Sequence, residues 1–116
     1  MPNRLKQLET DLAAATGADT ALDAEIHESA YGARPEKIPS YTASVDACLA
    51  LIHERLPEWH CHIGYGPRGI FPYAMLTHDP DDKEASAETT APTVPLALLG
   101  AFVKALRRDS SRKGRR

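Results

Sequence analysis

The amino-acid sequence predicts an α+β domain, with about four helices packed on a small antiparallel sheet of two or three strands. Three observations carry this. Through the first half of the chain, apolar residues recur every three and four positions, the period of an amphipathic helix. From Trp59 the period drops to two, the alternation of a strand. After Ala91 the helical period returns. Strands segregated from helices in this way build helix layers on an antiparallel sheet and not βαβ units.

The first helix is expected from about Asn3 to Thr16, on Leu5, Leu8, Leu12 and Ala15, with Gly17 as its stop. Asp19 has the chemistry of an N-cap for a second helix whose stripe is Leu22, Ile26 and Ala30. Gly32, Pro35 and Pro39 make the next stretch a loop. A third helix is read from Thr42 as its cap, with Asp46 in the positive first turn and Pro57 ending it. Its expected buried face is Val45, Cys48, Leu49 and Ile52. Trp59, Cys61 and Ile63 alternate with His60, His62 and Gly64 in a first strand. Gly64 to Gly69 reads as a turn. Ile70 to Thr77 reads as a second strand that Pro72 consigns to an edge or bulge. A third strand is read over Ala85 to Ala91. The last helix begins near Thr93, tolerates Pro95 in its first turn, and carries Leu96, Leu99, Phe102, Val103 and Leu106 on one stripe.

Four stretches in order make a broader pattern: Leu22-Asp23-Ala24-Glu25-Ile26, Tyr41-Thr42-Ala43-Ser44-Val45-Asp46-Ala47, Leu56-Pro57-Glu58-Trp59, and Thr93-Val94-Pro95-Leu96-Ala97-Leu98-Leu99 with Ala101 and Ala105-Leu106. In these the chain resembles the phage ABA sandwich domain, a family of small phage and prophage proteins, from about Leu5 to Leu106. It departs at the last stretch, where Val94 separates Thr93 from Pro95 and Gly100 interrupts the helix. The resemblance implies an α/β/α sandwich and a viral or prophage origin. It carries no activity and no catalytic residue, because the shared positions are caps, turns and core.

Composition narrows the setting. The length of 116 residues fits a single domain, and 42% hydrophobic with 26% charged residues is ordinary globular composition. No apolar run approaches the ~20 residues of a membrane span, and the N-terminal segment lacks an apolar signal core. Cys48 and Cys61 stand without disulfide or zinc spacing, so a reducing host cytoplasm is the expected home. The net charge of −2 hides an asymmetry. Residues 107–116 hold six of the 14 basic and one of the 16 acidic residues, so a tail of +5 follows a body of −7 over residues 1–106. The tail is expected to be mobile and suited at most to weak, non-specific contact with nucleic-acid phosphates.

Two constellations invite chemistry. Gly64, Gly66 and Gly69 match G-x-G-x-x-G with Arg68 at the tip, the pattern of a phosphate-binding turn. Ile70-Phe71-Pro72-Tyr73 follows where a dinucleotide fold needs a helix, so a hairpin turn is the simpler reading. His60 and His62 share a strand face and could chelate one metal if His78, Asp79, Asp81 or Asp82 completed the set. No zinc or calcium signature accompanies them, and two surface histidines are the plain alternative. The cysteines sit on apolar stripes, no serine lies in a nucleophile elbow, and no cofactor is implied. The expected function is therefore a non-catalytic binding or interaction module of a phage or prophage, acting on a phage or host macromolecule or a small ligand. The alternatives are a nucleotide-sequestering protein using the Gly64–Gly69 turn, and a metal-dependent hydrolase centred on His60 and His62.

Overall fold

The computed structural model describes residues 2–32, 35–65, 71–78 and 86–114. It has four α-helices, α1 (Pro2–Ala14), α2 (Thr20–Tyr31), α3 (Val45–Arg55) and α4 (Val94–Gly114), and a 3-10 turn at Tyr41–Ala43. Three strands, β1 (His60–Tyr65), β2 (Pro72–Thr77) and β3 (Ser86–Thr90), form an antiparallel sheet in the order β1-β2-β3. The class, the helix number and the sheet are those the sequence predicts. The layering differs from the α/β/α sandwich that the resemblance implies. α4 lies directly on β2 and β3, while α1 and α3 pack on α4. The layers therefore run sheet, α4, outer helices, and the second sheet face carries none of the described helices.

Local chemistry explains most boundaries. Asp19 caps α2, its side chain accepting from the Ala21 and Leu22 amides, and Gly32 closes it in the left-handed conformation at φ 76°. α3 is capped by Ser44, which accepts from the Ala47 amide at 3.1 Å. Thr42, read from sequence as that cap, instead sits buried in the 3-10 turn. α3 buries Cys48, Leu51 and Ile52, whereas Leu49 of the expected stripe is exposed. The face turns because α3 meets both α4 and the 3-10 turn. α4 runs to Gly114, into the stretch 107–116 that the sequence assigns to a tail. No Pro or Gly lies between Leu106 and Gly114 to break the helix.

β2 is the central strand and not the edge that Pro72 suggests from sequence, because Pro72 is its first residue, where a missing amide is tolerated. Strand pairing sets the faces. Ala74 and Leu76 are fully buried under α4 with Ala87 of β3, while Tyr73, Met75 and Thr77 share the opposite face with Gly64, His62 and His60. The core joins the sheet's inner face to Leu96, Leu99, Phe102 and Val103 of α4, Ile26 of α2 and Leu51 of α3.

Gly100 permits this packing. A Cβ there would lie 2.5 Å from Thr89 Cγ2 and 3.2 Å from Thr89 Cβ. The glycine that seems to interrupt α4 is the point where the helix touches β3. Gly100→Ala gains about 1 kcal/mol of helix propensity, yet is expected to lower stability by about 1–3 kcal/mol through overpacking. Thr89 is β-branched and cannot swing aside freely. Thr89→Ala in the same chain should recover most of the loss, a coupling that denaturant unfolding of the double-mutant cycle will read.

Candidate functional site

β1 leaves α3 through a tight turn in which the Trp59 amide donates to the Leu56 carbonyl at 3.0 Å. The alternation of β1 places His60 and His62 together on the outer face, both exposed. Thr77 and Met75 of β2 stand opposite them. His78, one position beyond Thr77, belongs to the other side. Its ring stacks tilted on Trp59 at 5.5 Å, and its Nε2–H donates to Glu58 Oε2 at 3.0 Å. It therefore faces away from the His60 and His62 pair. Asp79, Asp81 and Asp82 lie outside the described residues, and among the described ones no three His, Cys, Asp or Glu gather around a common point. The double variant His60→Ala, His62→Ala is expected to keep its melting temperature, as surface substitutions do within ~0.5 kcal/mol. Elemental analysis should find the same metal content, none in stoichiometric amount, before and after.

Gly64 lies within β1 and not in a turn, and Gly32 is the one described glycine with positive φ. Its requirement is steric. A Cβ at Gly64 would come within 3.0 Å of the Tyr73 ring, which crosses the strand there as aromatics do over sheet glycines. Gly66, Arg68 and Gly69 lie outside the described residues.

A second polar cluster, not singled out in the sequence, joins α2, the 3-10 turn and α3. His27 Nδ1 and the Tyr41 hydroxyl share a hydrogen bond of 2.6 Å, and the His27 ring also lies 4.6 Å from that of Tyr31. Arg55 covers the Tyr31 ring at 5.3 Å. Burial, a hydrogen bond to Glu54 and the Glu54 charge push the Tyr31 phenol up to about 12. Burial, then the Glu54 and Asp23 charges, raise Tyr41 as well. Both phenols keep their protons and act as hydrogen-bonding struts. Cys48 behaves alike: its thiol donates to the Tyr41 carbonyl at 3.0 Å, and burial with the Asp23 charge pushes it up to about 12. That is the opposite of an activated nucleophile.

Between α1, β3 and α4 runs a groove of about 280 Å³, floored by Leu12, Ala91, Leu96 and Gly100. It is smaller than the roughly 300–1,000 Å³ of ligand sites. Of its polar groups, Lys104 donates to the Glu88 carbonyl at 3.1 Å and Glu9 pairs with Arg107, while the Thr89 hydroxyl is buried with no hydrogen-bond partner among the described residues.

The surface with unused capacity is apolar. Cys61, Ile63 and Tyr65 of β1 point to the inner face, but α4 covers β2 and β3 and does not extend over this strand. Cys61 is half-buried, Ile63 is 42% and Tyr65 63% exposed. Ile63 shares the face of Trp59 but not its burial. The alternation was legible, whereas the reach of α4 was not. No described helix is long and apolar enough to cross a membrane. No family model, curated protein or solved structure matches the chain, so the site is read from its own geometry.

Proposed function

We propose that the chain is a non-catalytic interaction module, an accessory protein of a phage or prophage acting in the host cytoplasm on a phage or host protein. One observation carries the interaction reading. Ile63 and Tyr65, on one face of the edge strand β1, are exposed apolar side chains that α4 leaves uncovered, and exposed apolar surface on a small domain marks a contact site. The reactive side chains, by contrast, serve the fold: His27 with Tyr41, His78 with Glu58, and the Cys48 thiol with a carbonyl. The phage origin follows from the sequence resemblance, whose four stretches fall on α2, the 3-10 turn with the start of α3, the α3–β1 turn, and α4.

The test is a photo-crosslinking residue at Tyr65, expressed in cells carrying the phage. A defined heterologous partner should be captured, and capture should disappear in the Ile63→Ser variant while its melting temperature holds. Capture that persists in that variant would remove this surface from the function. A rise in melting temperature with nucleotides, on a panel of them, would move the reading to nucleotide sequestration.

A further inference from the structure

The face of the sheet away from α4 carries its own set of side chains. Strand pairing places His62 of β1 directly opposite Met75 of β2, and Met75 in turn opposite Glu88 of β3. His60 lies on the same face as His62, one alternation earlier, and stands diagonal to Met75. His27 and His78 are held by Tyr41 and Glu58. His60 and His62 are instead exposed, with the Met75 thioether half-buried between the strands.

We infer that His60, His62 and Met75 bind one Cu(I) ion in a three-coordinate site on this open face. The site goes beyond the contact-surface reading and is independent of it, since Ile63 and Tyr65 lie on the other face of β1. Spacing permits it. Directly paired residues have Cβ atoms about 4.5–5.5 Å apart and diagonal ones about 7–8 Å, within reach of long side chains. Residues two apart on one strand are separated by about 6.6 Å. Two imidazoles and a thioether therefore meet at one point above β1 and β2. The donor set selects the ion. Thioether sulfur is a soft, uncharged ligand that favours Cu(I), and imidazole serves copper as well as zinc. A zinc site would need a further Cys, His or carboxylate beside the pair. Cys61 points to the inner face, and among the described residues no three such groups gather.

Charge and access favour a cation here. The sheet belongs to the body, residues 1–106, whose net charge is −7, and Glu88 follows Met75 in the same cross-strand row. None of the described helices covers this face, so an ion enters without movement of the fold. The same openness makes exchange easy. Protein purified without added copper should therefore emerge metal-free, as the elemental analysis above expects.

The test is an anaerobic titration of the full chain with Cu(I), supplied as its acetonitrile complex and followed by NMR of the methionine methyls and histidine rings. One equivalent should shift the Met75 methyl and the His60 and His62 rings, and leave Met1, the other methionine, in place. Zn(II) should leave the Met75 methyl unmoved. Met75→Leu keeps an apolar side chain of similar volume, so the metal-free protein should melt as before. Its Cu(I) affinity should fall at least about tenfold. His62→Ala should weaken binding by no less. Uptake should persist in Cys61→Ser, which separates the site from the thiol on the inner face. Failure to bind Cu(I), uptake that leaves the Met75 methyl unmoved, equal affinity in Met75→Leu, or loss of uptake in Cys61→Ser each overturns the inference. Every one of those outcomes leaves the interaction reading to its own test, capture at Tyr65.

Discussion

Trp59→Ala is expected to lower stability by ~3–5 kcal/mol, the cost of removing a large aromatic from a closed site. Trp59 is 6% exposed and belongs to the main core, where it joins the end of α3 to the start of β1. The indole cannot be replaced by collapse from one side. Its amide is fixed to Leu56 and its outer face is roofed by His78, itself held by Glu58. A cavity would remain beneath that roof, and the retained volume adds to the lost transfer energy. Denaturant unfolding followed by far-ultraviolet circular dichroism measures the loss directly. An unchanged midpoint would mean that Trp59 is accessible in solution, and it would then join Ile63 and Tyr65 as part of the contact surface. Trp59→Phe should cost less, because it keeps a ring for His78 to cover.

How much of this was legible in the sequence depends on how local each cause is. The Asp19 cap was readable because the atoms it serves are two and three residues away. The strand period of β1 was readable because alternation is a property of the strand itself. The choice between Thr42 and Ser44 as the cap of α3 was not, since both have a hydroxyl and stand two residues apart. Asp23, far back in the chain, settles it by binding Thr42. The glycines show the same division. Gly32 ends a helix and follows a local rule, whereas Gly64 and Gly100 are required by Tyr73 and Thr89 from other elements. The exposed surface of β1 was hidden for a similar reason. Ile63 has the sequence signature of a core residue, and only the placement of α4 over the other two strands leaves it uncovered.

Asp23→Ala is expected to cost about 3–4 kcal/mol, since hydrogen bonds to a charged group are worth ~1.5–3 kcal/mol each and their loss strands the donors. Asp23 is a buried carboxylate in the first turn of α2, where the helix terminus favours negative charge. Its Oδ1 accepts from the Thr42 amide at 2.7 Å and from the Thr42 hydroxyl at 2.8 Å. The same hydroxyl oxygen accepts from the Asp19 amide at 2.7 Å. One carboxylate thus locks the 3-10 turn to the start of α2, and the turn in turn positions Ser44 to cap α3. Alanine would leave the Thr42 amide buried without its acceptor. Asparagine keeps an oxygen in the same place and loses the charge, so Asp23→Asn should cost roughly half as much. The two variants compared by denaturant unfolding separate geometry from charge. If asparagine is as damaging as alanine, the negative charge at the α2 terminus, and not the pair of bonds to Thr42, holds the three elements together.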